Sequence, residues 1–145
     1  MKVIFLDFDG VLNNFASHRL CTGDTFSVAA CENLNKILEA VPEAKIVVSS
    51  AWRMWGLKKI KEILAKNGID EAKVIDITGD EKGFRGYQIQ CWMDRNPGVT
   101  NLVILDDDSD MCELMNKLVK TNSFIGLTES DAKKAAKVLK TPLKG

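Results

Sequence analysis

The chain predicts a three-layer α/β domain: a five-stranded parallel sheet with helices on both faces. Three observations carry that expectation. Short apolar runs rich in β-branched residues alternate with amphipathic stretches along the 145 residues. The connections between them are short, and Pro or Gly punctuates several of them. Polar or acidic residues follow three of the apolar runs at once, at Asp7, Ser49 and Asp106.

Val3 to Leu6 reads as the first strand, a buried run that delivers Asp7 and Asp9 to a turn at Gly10. Residues 13–27 form a polar loop with little periodicity. Ala30, Leu34, Ile37, Leu38 and Val41 share one helical face, with Pro42 just beyond. Lys45 to Val48 is the second strand and ends at Ser49-Ser50. Leu57, Ile60, Ile63 and Leu64 mark a second helix, stopped by Asn67-Gly68. Lys73 to Ile77 makes a third strand. A loop carrying Gly79, Gly83 and Gly86 leads into a helix presenting Ile89, Trp92 and Met93, broken by Asn96-Pro97-Gly98. Asn101 to Leu105 is the fourth strand, ending at Asp106-Asp107-Asp108. Met111, Leu114, Met115 and Leu118 predict a further helix, followed by a short strand near 123–125. A last helix carries Ala132, Ala135, Ala136 and Leu139.

Right-handed crossovers put the carboxyl ends of all parallel strands on one edge of the sheet. Asp7, Asp9, Ser49, Ser50 and Asp106 to Asp108 therefore converge on one cleft. Carboxylates crowded there repel one another, and their desolvation is costly without a compensating cation or proton. That points to a hard metal ion and phosphate chemistry.

Composition sets the outer bounds. A hydrophobic fraction of 46% with 28% charged residues fits a globular protein, and the length fits a single domain spanning 1–145. Formal net charge is zero, so no overall field favours nucleic acid or membrane. Cys21, Cys31, Cys91 and Cys112 are scattered, without a C-x-x-C pair, and read as small hydrophobes rather than zinc or redox ligands. No signal peptide is evident and no apolar run approaches spanning length, so a cytoplasmic protein is expected.

Set side by side, the motifs resemble those of the haloacid dehalogenase (HAD) superfamily of aspartate-nucleophile phosphatases. Asp7-Phe8-Asp9-Gly10-Val11-Leu12 matches the first motif, Val47-Val48-Ser49 the second, and Ile104-Leu105-Asp106-Asp107 the fourth. The resemblance implies a Rossmann-like, HAD-like fold. Asp7 would be the nucleophile, forming an aspartyl-phosphate, and Asp9 the general acid and base. Mg²⁺ would be held by Asp7, the backbone carbonyl of Asp9, Asp106 and Asp107. Ser49 would donate to phosphoryl oxygens, with Ser50 doing the same or capping the turn. Asp108 or Ser109 would cap the next helix.

The third motif requires a Lys or Arg before the fourth strand, and both Lys82 and Arg85 qualify; Arg85, at the helix start, is preferred. Gly10 belongs to the phosphate-binding turn. Arg53 is expected to clamp a phosphate oxygen. Trp52 either stacks on a base, lines the pocket or packs in the core, and core packing is the competing reading of Trp55 as well. His18 is a loop residue or a substrate contact. Lys133, Lys134, Lys137 and Lys140 form a solvated face or a nucleic-acid contact.

Neither interval between motifs has room for a cap domain, so the cleft is open to large substrates. The Val48 to Arg53 segment, with Arg85-Gly86 and Asp106-Asp107-Asp108, resembles the small phosphatase domains of RNA-repair systems and of polynucleotide kinase-phosphatases, which implies a terminal 3′-phosphate on RNA or DNA as substrate. A nucleotide or sugar phosphate remains the alternative. A non-catalytic binding module is the reading from another class.

Overall fold

The computed structural model describes residues 1–14 and 23–144. Five parallel strands form one sheet in the order β3-β2-β1-β4-β5. They are β1 (Lys2–Leu6), β2 (Lys45–Val48), β3 (Val74–Ile77), β4 (Asn101–Asp106) and β5 (Leu118–Lys120). The chain builds one half of the sheet outward from β1, then crosses to β4 on its other side. The boundary between β1 and β4 is thus the topological switch point, where open α/β sheets bind ligands beyond the strand ends.

Alternation along the strands sorts the core into two layers. Ile4, Leu6, Ile46, Val48, Val103 and Leu105 face α1 (Val28–Ala40), α2 (Leu57–Lys66) and α4 (Glu129–Lys140). Val3, Phe5, Val47, Leu102 and Ile104 face the opposite way, onto Ile89 and Trp92 of α3 (Arg85–Arg95) and onto Met111 and Leu114. Trp92 meets Phe5 edge to face at 5.5 Å and donates its indole N–H to Asp76 at 2.7 Å, so its one polar atom is satisfied on burial. Helices cover both faces, and no cap follows either motif strand among the described residues.

The prediction fails after β4. Residues 112–117 form a 3-10 helix rather than an α-helix, and Leu118 already belongs to β5. The expected strand at 123–125 is a turn, closed by the Gly126 N–H on the Asn122 carbonyl. The physical reason is the shortness of the crossover. A 3-10 turn rises faster per residue than an α-helix and, of its apolar side chains, buries Leu114 alone, leaving Met115 exposed. Asp108 and Ser109 consequently cap nothing; the 3-10 helix starts behind Met111 with no side-chain cap.

Gly86 also differs from expectation, lying inside α3 rather than in the preceding loop. A Cβ there would stand 2.2 Å from the Met111 carbonyl, so only glycine allows α3 to approach this backbone. Cys31 is buried as expected, whereas Cys112 is exposed. Among the described residues no helix is long and apolar enough to cross a membrane.

Candidate active site

The strand period that sorts the core also aims the site. Asp7 continues the Val3-Phe5 side of β1, Ser49 the Val47 side of β2, and Asp106 the Leu102-Ile104 side of β4. All three therefore belong to the face covered by α3. Main-chain hydrogen bonds hold them in register. The Asp7 N–H donates to the Leu105 carbonyl at 3.0 Å, and the Ser49 N–H to the Leu6 carbonyl at 2.9 Å.

Beyond Asp7 the chain closes a tight turn on one acceptor. The N–H groups of Val11, Leu12 and Asn13 all converge on the Phe8 carbonyl. Gly10 sits in this turn at φ +81, and a Cβ on it would fall 2.2 Å from Asp107 Oδ2. Glycine thus meets two demands, backbone conformation and close approach of a carboxylate. The Thr121 hydroxyl donates to the Gly10 carbonyl at 2.7 Å and fixes the turn from β5.

Oxygens of Asp7, Asp106 and Asp107 lie within 4.8 Å of one another. Asp7 and Asp106 are buried, and Asp107 is partly exposed. Arg85 reaches this cluster from the first residue of α3: its Nη1 is 3.2 Å from Asp106 Oδ2 and 3.6 Å from Asp7 Oδ1. Lys82, its rival in the sequence, is exposed and forms no ion pair among the described residues.

One guanidinium does not neutralise three acids. Burial pushes Asp7 up to about 6, against the lowering influence of Arg85 and of the Phe8 N–H. Burial, then the Asp7 charge, pushes Asp106 up to about 8, although the Asp108 N–H and Arg85 favour its ionised form. The donor set is all oxygen, closely spaced and short of positive charge, which fits Mg²⁺. Asp7, Asp106 and Asp107 would hold it, and it would supply the charge compensation that one guanidinium leaves wanting.

Asp9 stands apart. Its carboxylate is exposed and accepts from the Trp52 indole N–H at 3.0 Å and from the Asn13 amide at 3.3 Å. Trp52 itself is half-buried, edge to face with both Phe8 and Phe26, and packs on the core. The indole therefore belongs to the wall of the cleft and orients Asp9. Trp55, by contrast, is 67% exposed, so core packing does not describe it.

Ser49 is fully buried, yet its hydroxyl has no hydrogen-bond partner among the described residues. Buried polar groups rarely stay unmatched, and an unmatched hydroxyl beside Asp7 is available to a bound anion. Ser50 accepts from the Trp52 N–H at 3.2 Å, which caps the 3-10 turn at 51–55, and its hydroxyl also favours ionised Asp7. Arg53 commits two donors to main-chain carbonyls, Nε to Gly79 and Nη1 to Ser50, both at 3.1 Å. Burial, then the neighbouring Arg85 charge, lower its pKa.

Sequence reasoning passed over Asp110 and Thr121. Asp110 Oδ2 accepts from the Arg85 N–H at 3.2 Å, and the Asp110 carbonyl from the Gly86 N–H at 2.9 Å. It thereby caps α3, whose own N-cap, Phe84, offers no side-chain acceptor. No spacing rule flags a cap donated from 25 residues downstream. His18 lies outside the described residues.

A switch-point cleft lined this way, on a parallel sheet with no cap among the described residues, places the chain among the small domains of the HAD superfamily. Residues 3–132 match the family described as the HAD domain in Swiss Army Knife RNA repair proteins, and the chain belongs to that family. No curated protein and no solved structure matches it significantly.

Proposed function

We propose that the protein is a Mg²⁺-dependent phosphomonoester hydrolase that works through an aspartyl-phosphate on Asp7, with phosphorylated nucleic-acid ends as substrate. The observation that carries this reading is the convergence of Asp7, Asp106 and Asp107 within 4.8 Å at the switch point.

The chemistry follows from the placement of each group. An ionised Asp7 oxygen attacks phosphorus, the bond to the leaving oxygen breaks, and the phosphoryl group resides on Asp7. Arg85, beside both Asp7 and Asp106, offsets the charge carried by the transferring group. Ser49 donates its unmatched hydroxyl to a phosphoryl oxygen. The exposed carboxyl of Asp9 protonates the leaving oxygen and then takes a proton from the water that hydrolyses the intermediate. Trp52 fixes the orientation of Asp9 for both transfers.

The family description supports a nucleic-acid substrate, and no cap domain stands over the cleft among the described residues. The test is hydrolysis of p-nitrophenyl phosphate and of 3′- and 5′-phosphorylated oligonucleotides, with and without Mg²⁺. Turnover by the wild type that vanishes in Asp7→Asn is expected. Equal rates in the two preparations would overturn the reading.

A further inference from the structure

The charge of this chain is unevenly divided. From 117 to 145 it carries seven lysines and two acids, a net +5, which leaves −5 for the rest of a neutral molecule. Both acids already have partners: Glu129 pairs with Lys36 at 3.6 Å, and Asp131 completes the capping box of α4 with Thr128. None of the seven lysines is in an ion pair among the described residues, and Lys117 is buried to 8% exposure in that condition.

Five of the seven line a continuous groove. Its upper part, about 340 Å³, lies between β5 and α4 and includes Lys120, Lys134 and Lys137. Its lower part, about 510 Å³, shares Lys137 and Val138 and continues to Lys117 and Lys144, with Glu113 as its acidic residue. Edge lysines on β5 also discourage strand pairing, but that role needs no groove and no lysines on α4.

The groove leads to the cleft. Lys120 ends β5 in register with Asp106 on β4. The loop that follows is tied to the Asp7–Asn13 turn at both ends, by Thr121 on the Gly10 carbonyl and by the Leu127 N–H on the Val11 carbonyl at 2.8 Å. Between these anchors Phe124 is 60% exposed. An exposed ring held at a cleft rim beside a cationic groove is the arrangement that binds single strands, rings taking bases and lysines taking phosphates.

Resting on the phosphatase reading above, we propose that the β5–α4 groove is the track for the sugar-phosphate backbone of a single-stranded nucleic acid whose terminal phosphate occupies the cleft, with Phe124 stacking on a base near that end. The preferred substrate is accordingly a polynucleotide end rather than a mononucleotide.

The test compares wild type, Lys134→Gln/Lys137→Gln and Phe124→Ala on three substrates: p-nitrophenyl phosphate, a nucleoside 3′-monophosphate and a 3′-phosphorylated oligoribonucleotide. Oligonucleotide binding is also followed by fluorescence anisotropy across a salt series. Unchanged kinetics on the small substrates are expected, with oligonucleotide KM rising roughly tenfold in Phe124→Ala. In the double variant the log-log salt slope of binding should fall by about 1.4, two phosphate contacts' worth. Oligonucleotide KM and salt slope unchanged in both variants would overturn the groove while leaving the phosphatase reading intact. Wild-type binding to phosphatidylserine vesicles but not to the oligonucleotide would overturn it in favour of a membrane surface. A wild type inert on every phosphomonoester, whose oligonucleotide binding still weakens in the variants, would sink the phosphatase reading and uphold the groove.

Discussion

Trp52 combines ring packing with a hydrogen bond to a candidate catalytic carboxylate. Its ring packs against Phe8 and Phe26, while its N–H holds Asp9, so the two contributions separate by substitution. Trp52→Phe keeps most of the ring contact and removes the donor. Losing one hydrogen bond to a carboxylate is expected to lower kcat about tenfold with little change in melting temperature. Asp9→Asn removes the carboxyl proposed to transfer the proton and should cost about 10²–10⁴ in kcat. If Trp52→Phe matches wild type in kcat, the indole only packs. The two cationic candidates are likewise separable. Arg85→Ala should abolish turnover because Arg85 is the guanidinium beside Asp7 and Asp106, whereas Lys82→Ala should leave it intact. Steady-state kinetics on p-nitrophenyl phosphate reads both pairs, and a reversed order of the cationic variants would reassign the role.

Single elements aim these residues, and α3 carries the tightest constraint. Gly86, one residue past Arg85, lies against the Met111 backbone, so Gly86→Ala must push α3 away. A loss of about 1–3 kcal/mol is expected in denaturant unfolding. Activity should fall further than stability accounts for, because Arg85 moves with the helix. Much of this was readable beforehand. The side-chain period of 2 along Val3-Phe5-Asp7, Val47-Ser49 and Leu102-Ile104-Asp106 already places three site residues on one face. The helix start near Arg85 was legible from the glycine-rich loop before it, although Gly86, read as part of that loop, lies inside the helix. What escaped was held by tertiary contact rather than local pattern. The i, i+3, i+4 spacing of Met111, Leu114, Met115 and Leu118 imitates an α-helix, yet only Met111 and Leu114 are buried and Leu118 is paired in β5. Asp110 capping a distant helix and Trp52 gripping Asp9 are long-range hydrogen bonds, invisible to any window along the chain.

For the molecule as a whole, the acid cluster couples stability to pH and, on the proposed function, to magnesium. Asp7 and Asp106 titrate at about 6 and about 8 when folded, above the ordinary carboxyl value of 3.8. Between those limits the folded state holds more protons than the unfolded one, so the metal-free protein loses stability as pH rises from about 4 toward about 8. Magnesium requires the ionised carboxylates, so its binding releases protons and its stabilising effect grows across the same window. At a metal concentration a hundredfold above Kd the gain is about 2.7 kcal/mol. For a chain of this size that corresponds to roughly 8 °C in melting temperature. Thermal melts from pH 5 to 8, with and without Mg²⁺, should therefore diverge steadily toward the alkaline end. Asp106→Asn replaces a buried acid by a neutral group of the same shape. It should stabilise the metal-free protein at pH 8 and erase most of the magnesium response. Melts of Asp106→Asn that track wild type in both respects would mean that the cluster neither carries the strain assigned to it nor holds the ion.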